Sequence, residues 1–213
     1  MMSEFVTSAF LTMFIIVDPV GVAPIFLSLT TGMTPREKHV VAIKATVIAI
    51  LILAFFALAG HRFLELMGIS LPAFRIAGGL LLFWTAVEMI FERRNKRKSE
   101  TADRAMNEEH SDDIAAFPLA VPLLAGPGAI TAVMLLAERA GDSLIRFSAV
   151  FGVMLSVLML TLITLLAAVR VEKIMSASFR TVITRLLGVI LAALAVQFVA
   201  DGISELVTKG VTS

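Results

Sequence analysis

The chain has no cysteine, which excludes disulfides and thiolate metal sites. Its three histidines, His39, His61 and His110, lie too far apart in sequence to form a metal-ligand spacing. Charge is scarce: 16% of the 213 residues are charged, against about 25% in soluble domains. No Gly-rich phosphate loop carries its Lys, and no Ser–Lys, His or Cys arrangement pairs a nucleophile with a base. These gaps argue against an enzyme and imply no cofactor. The start, Met1-Met2-Ser3-Glu4-Phe5, lacks the basic region of a cleavable signal peptide, so the first apolar run reads as a retained span.

Apolar side chain fills the space that charge leaves. It makes up 58% of the residues with Gly uncounted, more than the surface of so small a soluble protein could hide. Lipid is the simple partner for the excess. A span needs about 20 mostly apolar residues to cross roughly 30 Å of hydrocarbon. Six segments qualify, at about 5–30, 40–61, 71–91, 115–137, 145–169 and 183–207. Lys44 is the only charge in the second, close enough to one end to snorkel. Apolar residues occur all round these segments, as burial in lipid and in a bundle requires.

One long polar stretch interrupts the pattern, from Glu92 to Asp113. It opens with Arg93-Arg94-Asn95-Lys96-Arg97-Lys98 and turns acidic at Glu108-Glu109 and Asp112-Asp113. Such a composition cannot bury a core and reads as a loop. Beside a membrane span, its basic run is a topology signal rather than a nucleic-acid patch. With this loop cytoplasmic, alternation leaves only Arg62, Arg75, Arg139, Arg146 and Lys209 outside; the other thirteen of the 18 Lys and Arg face in. The positive-inside rule therefore places both termini outside, on the periplasmic side of a bacterial-type inner membrane.

The chain divides into a first three-helix repeat (1–91), the charged loop (92–114) and a second three-helix repeat (115–213). Asp18-Pro19-Val20-Gly21-Val22-Ala23-Pro24 interrupts the first span, and Ala125-Gly126-Pro127-Gly128-Ala129 interrupts the fourth. Arg75-Ile-Ala-Gly78 and Arg185-Leu-Leu-Gly188 match at nearly the same offset. With three spans per half, the second half starts on the opposite face. The expected fold is thus all-α and polytopic: six transmembrane helices in a 3+3 inverted repeat, with helices 1 and 4 broken near the midplane. Transporters use this design and bind substrate at the breaks.

Proline stops a helix unless it occupies the first helical position. Asp18-Pro19 and Gly126-Pro127 each read as an N-cap followed by such a proline. About 11–13 residues precede each break, or roughly 17–20 Å of helix. Unpaired N–H groups are costly in hydrocarbon, so the joints must face protein or a polar cavity. The second half-helices present positive N-termini, and the first present carbonyls near Ile16, Val17 and Leu124. Donors beside acceptors suit a zwitterion, with its carboxylate on the N–H groups and its ammonium on the carbonyls and Asp18. The substrate-binding residues expected on this reading are Asp18, Pro19, Val20, Gly21, Ala125, Gly126, Pro127, Gly128, Ala129 and Gln197. Asp18 either lines the site, caps the second half-helix, or does both. Gln197 lines the cavity or bonds between helices. Glu88 and Asp201, nearer helix ends, read as interfacial. Ala77-Gly78-Gly79 and Gly188 with Ala192 have the spacing of close helix contacts.

The motifs Asp18-Pro-Val-Gly-Val-Ala-Pro-Ile-Phe26, Gly68-Ile-Ser-Leu-Pro-Ala-Phe-Arg-Ile-Ala-Gly-Gly79, Phe117-Pro-Leu-Ala-Val-Pro122, Ala125-Gly-Pro-Gly-Ala129, Arg185-Leu-Leu-Gly188 and Val196-Gln-Phe-Val-Ala-Asp-Gly-Ile203 span nearly the whole chain. In these the sequence resembles the MarC/SnatA family of integral membrane proteins. The resemblance implies six spans in the inner membrane and import of small neutral amino acids such as glycine and alanine, coupled to a cation, Na+ or H+. The family carries Asn or Asp at the position of Asp18, which fits capping and ligand roles better than obligatory proton carriage. Export of amino acids or drugs would use the same fold in the other direction. A scaffold without transport is the remaining alternative, and oligomeric state is left open.

Overall fold

A computed structural model describes residues 2–91, 93, 114–141, 143–170 and 177–210. Most of the charged loop, at 92 and 94–113, therefore lies outside the described residues. The described residues are helical, without a strand. The elements are α1 (Met2–Val17), α2 (Pro19–Leu29), α3 (Pro35–Leu66), α4 (Leu71–Ile90), α5 (Ala115–Leu124), α6 (Pro127–Ala140), α7 (Leu144–Arg170) and α8 (Ala177–Gly210).

Local chemistry sets several boundaries. Thr34 and Glu37 form a capping box before α3: the Glu37 carboxylate accepts from Thr34 N–H at 2.7 Å, and Thr34 Oγ1 accepts from Glu37 N–H at 3.4 Å. Ser70 caps α4 through Ala73 N–H, with Pro72 in the first turn. The turn from α6 into α7 passes through Gly141 at φ 56°, where a side chain would be strained.

Five stretches are long and apolar enough to cross a membrane: Met2–Leu29, Pro35–Leu66, Leu71–Ile90, Leu144–Arg170 and Thr181–Thr208. The first contains both α1 and α2. Leu51, Phe55 and Leu58 on α3, each more than 60% exposed, show that the outward faces are apolar. The remaining expected span falls on α5 and α6, 10 and 14 residues long, neither able to cross alone. A π-helical α5 differs from the α-helical half expected here. Pro118 and Pro122, four residues apart, have no N–H to give, which removes two donors from an α-helical ladder. The segment widens to i→i−5 bonds instead, as from Leu119 N–H to Ile114 O (3.3 Å) and Ala125 N–H to Ala120 O (2.9 Å).

Glycines let two helices run together along their length. α4 packs more extensively on α8 than any other pair packs. A methyl placed on Gly188 would lie 3.1 Å from Ala86 O; on Gly79, 2.9 Å from Ala195 O; on Gly202, 3.0 Å from Pro72 O. The small-residue contacts expected of Gly79 and Gly188 are thus present, and the register runs antiparallel. α6 also lies antiparallel to α4. Gly128 neighbours Thr85 and Leu82, Gly78 abuts Thr131 and Leu135, and Glu138 pairs with Arg75.

Candidate functional site

The first break is a single residue. Asp18 occupies the left-handed region at φ 57°, the only described non-glycine residue with positive φ, and Pro19 begins α2. Asp is among the few side chains that tolerate this conformation. Its Oδ1 accepts from Gly21 N–H at 3.0 Å. In an unbroken helix that donor would serve the Val17 carbonyl. The ladder survives on either side, with Asp18 N–H on Phe14 O at 2.9 Å and Val22 N–H on Asp18 O at 3.0 Å. The N-cap expected of Asp18-Pro19 is therefore present. Asp18 is 2% exposed, and its second oxygen, Oδ2, is buried without a hydrogen-bond partner. Gly21 must be glycine for this fold of the carboxylate, since a Cβ there would lie 2.2 Å from Oδ2.

The second break is built differently. Gly126 is extended at φ −74°, ψ 172°, and offers α6 no side-chain cap; Pro127 again takes the first helical turn. The first-turn N–H groups of α6 thus keep their positive end uncompensated by any cap side chain. At α2 the Asp18 carboxylate supplies that compensation.

The two breaks converge. A methyl placed on Gly128 would sit 3.5 Å from Ile16 Cγ2, 3.8 Å from Thr85 Oγ1 and 4.0 Å from Leu82 Cδ2. The end of α1, the start of α6 and the middle of α4 therefore meet. Ala125 and Ala129 are buried there, as are Pro19 and Gly21; Val20, Gly126 and Gly128 are half-buried and Pro127 is exposed. Thr85, 7% exposed, with its hydroxyl donating to Leu81 O, was missed in the sequence. A lone threonine in an apolar helix gives no signal until Gly128 lies beside it.

Gln197 is not brought to this junction. It lies on an exposed face of α8 and donates to Asp201 Oδ1 at 2.6 Å. Asp201 in turn accepts from Arg139 at 2.7 Å and is half-exposed. Glu88 lies near the end of α4, 5% exposed, and Trp84 Nε1 donates to it at 3.1 Å.

Apolar helices long enough to cross a membrane, with the end of α1 meeting the start of α6 inside the bundle, define a multi-pass α-helical membrane protein. Over residues 3–207 the chain matches the MarC family of integral membrane proteins, and it belongs to that family. It is similar to the UPF0056 membrane protein MJ1677 of Methanocaldococcus jannaschii, 40% identical over 92% of this chain and 94% of the relative. YvbG of Bacillus subtilis is 34% identical over 95% of this chain and 96% of its own length. YhcE of Escherichia coli is 33% identical over 91% and 89%. No solved structure matches.

Proposed function

We propose that this protein is a secondary transporter of small neutral amino acids, not an enzyme, with the convergent breaks as its substrate site. The observation that supports the reading is the meeting of Ile16, two residues before the Asp18 break, with Gly128 at the start of α6 and Thr85 of α4. A glycine or alanine zwitterion would place its carboxylate on the first-turn N–H groups of α6 and its ammonium toward Asp18 Oδ2. Gly126, Gly128 and Ala129 keep the walls low, and Thr85 offers a hydroxyl.

The same reading includes six spans as a 3+3 inverted repeat. Its support is the packing pattern. α1 and α2 pack on α7, α5 and α6 pack on α3, α3 packs on α7, and α4 packs on α8. Exchanging the two halves turns this set of neighbours into itself. α5 and α6 together would make the broken fourth span, and alternating access would rock one half against the other. The cation bias places both termini outside the inner membrane.

Purified protein in liposomes is expected to take up labelled glycine and alanine under a Na+ or H+ gradient, with the better gradient naming the coupling ion. Flux no greater than that of empty vesicles overturns the function. A phosphatase fused after Ser213 is expected to be active outside; inactivity there, with a fluorescent fusion lit in the cytoplasm, overturns the orientation.

A further inference from the structure

α6 carries Gly126, Pro127 and Gly128 at its start and two adjacent opposite charges, Glu138 and Arg139, at its end. Both charges are engaged by helices of the glycine seam. Arg75 at the start of α4 donates through one guanidinium nitrogen to Glu138 and through the other to Glu205 of α8 at 2.9 Å. Arg139 pairs with Asp201 of α8 at 2.7 Å, its guanidinium lying 4.2 Å over the Phe198 ring. Arg75 and Glu138 are 13% and 19% exposed at the side chain, so water screens that pair weakly.

α4 and α8 are held to each other by backbone-tight glycine contacts, whereas α6 is a short rod of about 21 Å. Its far end is pinned to that pair by two ion pairs, and its near end forms one wall of the junction. Tilting α6 away at the Ala140 end would open the junction from that side and would break both pairs. α2, its counterpart under the proposed repeat, carries no charge from Pro19 to Leu29 and ends at Thr30-Thr31, so no such pairs can form there. The halves therefore differ in what restrains them.

We propose that Arg75, Glu138, Arg139 and Asp201 form an ionic gate that keeps the junction closed at the Ala140 end of the bundle. The gate rests on the transporter reading for its purpose, but not for its test, which needs no transport.

The chain has no cysteine, so a single introduced thiol reports alone. Gly128→Cys places it at the junction, where a Cβ has room. Leu144→Cys, at a residue 78% exposed, marks the Ala140 side. A membrane-impermeant maleimide is applied to sealed vesicles of each orientation. From the side that labels Leu144→Cys, the Gly128→Cys protein is expected to react slowly. Glu138→Gln with Arg139→Gln keeps the net charge, leaves Arg75–Glu205 and Gln197–Asp201 in place, and releases only α6. Labelling is expected to rise about tenfold from that side. Glu205→Gln, which loosens α4 from α8 but spares the gate, is expected to leave the rate unchanged. Exchanging charges by Arg139→Asp with Asp201→Arg is expected to restore slow labelling relative to Arg139→Asp alone, which also answers the case in which the double glutamine variant does not fold. Fast labelling of the gated protein overturns the proposal, and so does an unchanged rate in a folded ungated variant, or an equal rise with Glu205→Gln. Flux is measured in the cysteine-free parent, which lacks the reporter: faster labelling with no flux in the parent sustains the gate and overturns the transporter, and flux in the parent with unchanged labelling does the reverse.

Discussion

The two breaks share a proline at the first helical turn and differ in almost everything around it. At Asp18 the chain turns on one left-handed residue, and a carboxylate folds back to satisfy the helix that follows. At Gly126 the chain is extended, no side chain caps the new helix, and a π-helical segment leads in. The first break supplies its own cap through Asp18 Oδ1 and leaves Asp18 Oδ2 without a partner. The second leaves donors without a cap. The two interruptions thus differ in polarity, and the proposed zwitterion site would draw on that difference.

The largest expected effect comes from removing the cap that the first break supplies. Asp18→Leu loses the cap, worth about 1 kcal/mol, and sets a branched side chain in the left-handed region at a further cost of about 1–2 kcal/mol. Thermal unfolding in detergent should show a clear loss of stability. Asp18→Asn keeps an acceptor and a residue tolerant of this conformation. It is expected to fold like the parent and to transport glycine more weakly, because the negative charge is gone. Equal flux in both variants would leave Asp18 outside the substrate site. Gly21→Ala tests the same arrangement from the other partner: its Cβ would meet the Asp18 carboxylate at 2.2–2.9 Å. A loss of stability that vanishes in an Asp18→Gly background, which has no side chain to meet the new Cβ, would show that the clash is with the cap itself; persistence of the full loss would place the strain elsewhere.

A smaller effect is expected away from both breaks. Gly79→Val forces bulk against Ala195 O and Val199 in the α4–α8 seam. Overpacking of this kind costs about 1–3 kcal/mol. Because α4 also supplies Thr85 to the junction, stability and glycine uptake should fall together. Lowered stability with unaltered uptake per folded molecule would mean that the seam is only structural.

Much of this was legible in the chain because the relevant signals are local. A run of apolar residues fixes a span, and a proline after Asp or Gly fixes where a helix restarts, both within a few residues. The cap on Gly21 follows from that spacing alone. The form of α5 was less legible: Pro118 and Pro122 announce a disturbed helix, but not whether it ends, kinks or widens. The ion pairs were the least legible. Arg75 finds Glu138 and Glu205 across 63 and 130 residues, and Arg139 finds Asp201 across 62, through a helix register that no local pattern encodes. Arg75 and Arg139 were simply exceptions to the positive-inside bias; paired with acids at one end of the bundle, they cease to be exceptions. Gln197 misled for a related reason, since its place in an apolar helix says nothing about which face it occupies.

The smallest expected effect on stability falls at the second break and bears most directly on the ligand. Gly126 has an ordinary φ of −74°, so Gly126→Ala costs little strain. A methyl on Gly128 would make only ordinary contacts at 3.5–4.0 Å with Ile16, Thr85 and Leu82. Both variants should unfold within a few degrees of the parent, unlike Gly21→Ala. The added methyl on Gly128 nonetheless takes up space beside Thr85, where the substrate side chain would lie. Competition between labelled glycine and unlabelled alanine should therefore shift toward glycine in Gly128→Ala, by about 1–3 kcal/mol if the lost room equals one methyl. An unaltered glycine-to-alanine preference, with stability also unaltered, would move the substrate away from the start of α6. The difference in polarity between the two breaks would then need another purpose.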